Sequence, residues 1–215
     1  MVFISGTYFF AVGMLVLAYL QMPNMVFFLL IANFLFLSIV WILNYEKNQE
    51  GIFQAILFYE MGLLYLAGSL VTLVWIRSWT LGGTWVFMLL AIVFSGDVGG
   101  YYGGKAFGKH KLCLSISPNK TIEGAIGGLL MSILAASACK IWLFPMLPWF
   151  FVILAGVLCG ASGQLGDLFE SALKRHAGVK DSGTLLPGHG GVLDRIDAVL
   201  FASPVFYFLG KFLLF

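Results

Sequence analysis

The charged residues of this chain are few and crowded. Only 10% of its 215 residues are charged, 12 Lys or Arg and 10 Asp or Glu, yet positions 167–197 hold nine of these 22. They are Asp167, Glu170, Lys174, Arg175, Lys180, Asp181, Asp194, Arg195 and Asp197, interspersed with Ser171, His189 and the glycines of PGHGG. These residue types suit one kind of chemistry. Carboxylates hold a divalent cation such as Mg²⁺, which takes one or two protein carboxylates and completes its shell with water and phosphate oxygens. Lys and Arg bind further phosphate oxygens, Arg through a bidentate fork. Glycines let backbone N–H groups approach an anion closely. Together they suit metal-assisted phosphoryl or nucleotidyl transfer, where positioning and charge neutralisation supply most of the catalysis.

The elements that must position these residues are membrane helices. With 60% hydrophobic residues and a mean hydropathy of +0.97, the chain has no polar tract able to build a water-soluble domain. The expected fold is all-α, a polytopic integral membrane protein forming one membrane-embedded domain over 1–215. A spanning helix needs about 20 mostly apolar residues. Seven stretches qualify, at 2–20, 25–43, 52–76, 84–103, 122–144, 149–174 and 193–214. QMPN (21–24), NYEKNQEG (44–51), RSWTLGG (77–83) and the Pro145/Pro148 pair separate them. The first stretch lacks a basic leader and a small-residue cleavage site, so it is read as a retained helix. Cys113, Cys139 and Cys159 match no metal-ligand spacing and are read as small apolar packers. A net charge of +2 gives no basic field for nucleic acid.

Orientation follows from the basic residues, which stay on the cytoplasmic side. Seven spans with the N-terminus inside put Lys47, Lys105, Lys109, Lys111, Lys120, Lys174, Arg175, Lys180 and Arg195 within, against Arg77, Lys140 and Lys211 outside. Loops 104–121 and 175–192 then share the cytoplasmic face. Depth follows from a rise of about 1.5 Å per residue. Asp167 lies roughly 27 Å along its helix from Trp149, near the inner edge of a core about 30 Å thick. Asp194 and Asp197 open the last helix at that edge, and Asp97 lies two thirds of the way across the fourth. An acidic residue at mid-bilayer costs about 2.5–3.5 kcal/mol, so each needs a partner, a cavity or a job. Asp167, Glu170, Ser171 and Lys174 recur at helical spacing and share a face, while Asp194 and Asp197 share another. Two helices each presenting a carboxylate at one depth can hold a cation between them.

Blander readings apply to single residues. Basic loops beside acidic helix ends also serve as topological anchors and ion pairs, although the joint pattern over 167–197 favours a site. Glu60 reads as a protonated or hydrogen-bonded packing residue, and Tyr101 and Tyr102 as interfacial aromatics. Gly124, Gly127 and Gly128 read as a helix-packing face. Gly99, Gly100, Gly103 and Gly104 suit close helix packing or a flexible helix end as readily as substrate contact.

Three stretches carry a family resemblance. SALKRHAGVKDSGTLLPGHGGVLDRID (171–197) resembles the signature of the CDP-diacylglycerol synthases, or phosphatidate cytidylyltransferases, at every constrained position. GDVGGYYGGKAFGKHKL (96–112) and SPNKTIEGAIGG (117–128) look like the same family, so the resemblance covers about residues 60–210. Members are commonly longer, with additional N-terminal helices. The resemblance implies a Mg²⁺-dependent reaction, with one or two ions, in which phosphatidic acid attacks the α-phosphorus of CTP, releasing pyrophosphate and leaving CDP-diacylglycerol in the membrane. It implies that Asp167 and Asp194 are metal ligands and that Lys174, Arg175, Lys180 and Arg195 hold phosphates. Ser171, Asp181, His189 and Asp197 would shape the site or bind CTP. Asn119, Lys120 and Thr121 would form a second phosphate-facing wall, with Asp97 close to the metal. The implied setting is a bacterial inner membrane with the site facing the cytoplasm, and a homodimer is one assembly open to it. Two rivals remain. A CTP-dependent polyprenol kinase would release CDP, and a cation transporter would spread its acidic residues through the depth of the bilayer.

Overall fold

A computed structural model describes residues 2–45, 49–183 and 191–214. Helices dominate: α1 (Val2–Tyr19), α2 (Pro23–Leu43), α3 (Gln49–Gly62), α4 (Ser69–Arg77), α5 (Gly82–Phe107), α6 (Ile122–Leu143), α7 (Trp149–His176) and α8 (Leu193–Leu213). A π-helical turn, Leu63–Gly68, joins α3 to α4, so the third span is one continuous rod. Among the described residues, six helical stretches are long and apolar enough to cross a membrane, and Ser5–Tyr19 forms a shorter apolar helix beside them. Phe9, Phe28, Phe87, Phe150 and Phe212 point outward, an apolar exterior that belongs in lipid. The architecture is that of an all-α polytopic membrane protein. Its boundaries follow local chemistry: Pro23 occupies the first turn of α2, where its missing N–H is no loss, and Gln21 and Leu81 take left-handed φ of 59° and 60° before α2 and α5.

One expectation needs correction. The stretch 104–121 is not a simple loop. Helix α5 continues to Phe107, and the remainder folds into a small antiparallel hairpin, β1 (Lys111–Cys113) with β2 (Ser117–Thr121). Gly103 and Gly104 do not end the helix, because their lack of side chains is used for close packing against α6.

The chain resolves into two compact units, Met1–Trp79 and Thr80–Phe215. In the first, Met14, Ala18, Val26, Leu63, Ala67 and Val71 form the core. Buried Asn33 donates from Nδ2 to Glu60 Oε1 at 3.0 Å, which supplies the partner that Glu60 requires. The second unit contains every motif residue. Its α5 and α6 touch backbone to backbone. A Cβ on Gly99 would meet the Gly127 carbonyl at 2.7 Å, and one on Gly124 the Gly100 carbonyl at 2.8 Å. Gly124, Gly127 and Gly128 therefore form a packing face, as small residues do where membrane helices approach closely. Between α7 and α8, Gly166 plays the same part against the Asp197 carbonyl. Further along, Trp85 stacks on Phe144 at 4.2 Å and meets Phe151 and Phe206 edge-on.

Candidate active site

The hairpin is held over the start of α6 by two devices. Thr121 caps the helix, its hydroxyl accepting from the Gly124 N–H at 3.1 Å. Glu123 in the first turn accepts from the N–H groups of Lys109 and His110 and contacts His110 Nδ1 at 2.6 Å. A carboxylate there is also favoured by the helix dipole. So fixed, β2 presents Asn119, Lys120 and Thr121 to a cavity of about 490 Å³. Asp97, Gly100 and Gly104 of α5 form another side, and Gln164 and Asp167 of α7 a third. The absence of side chains at the glycines leaves backbone as the wall.

Charged groups reach this cavity from all three sides, Asp97 and Lys105 from α5, Lys120 from β2 and Asp167 from α7. Lys120 Nζ lies 2.6 Å from Asp167 Oδ2. Asp97 feels the charges of Asp167, Asp197 and Lys120, and Asp197 those of Asp167, Lys174 and Lys120. Three carboxylates from α5, α7 and α8 thus share one electrostatic neighbourhood with the Lys120 ammonium, and Lys174 acts on Asp197 as well. Ser171 reaches back to Asp167 at 3.5 Å, one turn along the shared face.

A second cluster lies where α7 ends and α8 begins. Lys174 contacts Glu170 one turn earlier on α7 and donates to Asp194 Oδ1 at 2.7 Å on α8. Asp194 Oδ2 accepts from Ser182 N at 3.0 Å, Ser182 Oγ at 2.8 Å and Gly191 N at 2.7 Å. Asp194 therefore ties both ends of the intervening segment to the helix pair. Glu170, 1% exposed, keeps a second oxygen that no described donor reaches. Arg175 approaches the Ile116 carbonyl at 3.4 Å, and Lys180, Asp181 and Arg195 are exposed. His189 lies outside the described residues.

The oxygen donors suit a hard cation such as Mg²⁺ in its usual mode. Among the described residues, no group of three His, Cys, Asp or Glu side chains is placed to hold an ion by itself. Mg²⁺ does not require one, because water and phosphate complete its octahedron. Asp167 faces the cavity with its side chain 40% exposed. Asp194 Oδ1 has one donor, Lys174, and Oδ2 has three, so an ion there would share Oδ1 with the Lys174 ammonium.

A model of the cytidylyltransferase family matches residues 1–213. The chain belongs to that family. A phosphatidate cytidylyltransferase of Bacillus subtilis strain 168 is 47% identical over 128 residues, 60% of this chain and 48% of its own length. One from Staphylococcus aureus strain COL is 54% identical over 117 residues, 53% of this chain and 44% of its own. One from Staphylococcus saprophyticus is 40% identical over 161 residues, 74% of this chain and 60% of its own. The chain spans about half the length of the curated relatives it matches.

In this cytidylyltransferase-family chain, Asp97, Asn119, Lys120, Thr121 and Asp167 come together around one cavity. Among the described residues, Ser171, Lys174, Arg175, Lys180, Asp181, Asp194, Arg195 and Asp197 lie outside its lining. Asp197 remains coupled to it through the charges of Asp167 and Lys120, and Lys174 acts on Asp197 in turn. Lys105 lines the cavity too, and three further contributors escaped the sequence reading of the site. Gln164 lines the cavity and donates to the Ala125 carbonyl at 3.0 Å, a polar residue in an apolar helix that could have been flagged. Glu170 appeared only as a neighbour on a shared face. Glu123, two residues after the helix cap, is a recognisable first-turn carboxylate.

Proposed function

We propose that the chain carries out the phosphatidate cytidylyltransferase reaction. The observation that carries this reading is the cavity in which Lys120 and Asn119 of a tethered hairpin face Asp167 and Asp97 across a glycine-lined wall. Its setting in a membrane helix bundle and the names of the relatives support a lipid acceptor and a cytidine nucleotide donor. The excess of Lys and Arg on one side supports a cytoplasmic site in a bacterial inner membrane.

The residues divide the work. Lys120 and Asn119 bind phosphate oxygens of CTP from the hairpin side. Asp167, with Asp97 and Asp197 nearby, would hold Mg²⁺, which when bound neutralises triphosphate charge and polarises the α-phosphoryl group. Lys180, Arg175 and Arg195, exposed at the helix ends, draw in anionic phosphate groups. Lys174 and Asp194 keep α7 and α8 in register so that Asp167 and Asp197 share one neighbourhood. A lipid phosphate oxygen forms a bond to the α-phosphorus as the bond to the β-phosphate bridging oxygen breaks, and pyrophosphate departs. A phosphate monoester dianion already carries its attacking lone pair, so the step requires neither a general base nor a covalent enzyme intermediate.

Incorporation of α-³²P-labelled CTP tests this with the chain in liposomes, phosphatidic acid and Mg²⁺ being omitted in turn. Label should enter the lipid fraction, with stoichiometric pyrophosphate, only when all are present. Release of CDP with a phosphorylated alcohol, or no lipid label, would overturn the reading.

A further inference from the structure

Lys120 is the unusual member of the cavity. Its Nζ is buried and lies 2.6 Å from Asp167 Oδ2 as an ion pair, without a formed hydrogen bond. An ammonium has three protons to donate, and none is well placed on an acceptor. The same charge acts on Asp97 and Asp197. Its backbone is fixed, because Thr121 pairs with Lys111 and caps α6. What can move is the four-carbon side chain. A buried ammonium held by charge beside Asp167, with Asp97 lining the same cavity, occupies the place of an inorganic cation and is released at small cost in hydrogen bonding.

We propose that Lys120 is a tethered stand-in cation, which neutralises the Asp97/Asp167/Asp197 cluster until a divalent ion arrives and then swings its ammonium to the nucleotide phosphates. This rests on the cytidylyltransferase reading of the cavity. An ion arriving alone must break the Lys120–Asp167 pair and leave a buried ammonium without a counter-charge, which is costly. An ion arriving with triphosphate brings the anion that Lys120 needs. Metal and nucleotide therefore bind cooperatively, and each raises the affinity for the other by the same factor.

The test uses Mn²⁺ alone, without nucleotide or lipid, titrated into the full chain in detergent and read by the EPR signal of free ion. Lys120→Met keeps the length of the side chain and removes its charge. It should bind Mn²⁺ more tightly than the wild type by at least about fivefold, the lower edge of usual coupling between sites. Lys120→Arg should stay within about twofold of wild type, because it keeps a tethered cation. The Lys120→Met/Asp167→Asn double variant should lose the gain. Equal or weaker Mn²⁺ binding by a folded Lys120→Met chain, checked by its thermal melt, would overturn the proposal. So would a gain that survives in the double variant. CDP-lipid formation by the wild type, assayed in parallel, separates the two ideas. Turnover without the Mn²⁺ gain sinks the stand-in cation alone, whereas the gain without turnover supports the exchange and sinks the cytidylyltransferase reading.

Discussion

The α5/α6 pair and the α7/α8 end solve the same problem by opposite means. Between α5 and α6 the contact is largely backbone on backbone, with glycines at 99, 100, 124 and 127 and the Ser132 hydroxyl donating to the Ile92 carbonyl. Beyond the Gly166 contact, the end of α7 is joined to α8 by Lys174, shared between Glu170 and Asp194, with Ser182 and Gly191 closing on the same carboxylate. The first is a wall defined by covalent geometry. The second is a side-chain clamp whose strength depends on charge. A signature dense in charges therefore need not place every charge on substrate. Part of it holds the scaffold that lets Asp167 and Lys120 face the cavity.

The difference can be sharpened by substitution. Asp167→Asn removes a charge at the cavity while keeping size, and it should cut lipid labelling by more than about 100-fold, as expected of a group acting through transition-state charge, while a cooperative thermal melt, lowered by the loss of the Lys120 counter-charge, shows that the chain still folds. Asp194→Asn touches the clamp. It should lower turnover and also speed limited proteolysis between Ser182 and Gly191, because the carboxylate that gathers those N–H groups is weakened. Unchanged proteolysis with abolished turnover would instead give Asp194 a direct role at the metal. Gly127→Val pushes a side chain toward the Gly99 carbonyl, where even a Cβ would sit at 2.9 Å. It should destabilise the chain by about 1–3 kcal/mol, read as a lowered melting temperature in detergent. Lys180→Ala, exposed and outside the cavity lining, should raise KM for CTP or phosphatidic acid a few-fold with kcat nearly unchanged. An unchanged KM for both would remove it from the site.

Much of the fold could be read directly. Spans expected at 122–144 and 149–174 appear as Ile122–Leu143 and Trp149–His176, because long apolar runs bounded by polar or proline residues leave little choice. The hairpin was not legible. KLC and SPNKT are too short for a strand signal, and they pair because Glu123 and Thr121 fold the chain back over α6, a contact set in three dimensions. The same limit applies within the site. The spacing of Glu170 and Lys174 shows that they share a face, but nothing local shows that Lys174 also reaches Asp194, twenty residues away. Nor does a motif reveal that Lys120, on the wall facing phosphate, rests against Asp167.

The central claim is that the cation and the nucleotide phosphates meet in the cavity between the hairpin, α5 and α7. An anomalous difference map from crystals grown with Mn²⁺ and CTP tests it most directly. The account predicts a manganese peak against the Asp167 carboxylate, with triphosphate density beside Lys120 and Asn119. A manganese peak remote from Asp167, with the Lys120–Asp167 pair intact and nucleotide density elsewhere, would contradict it.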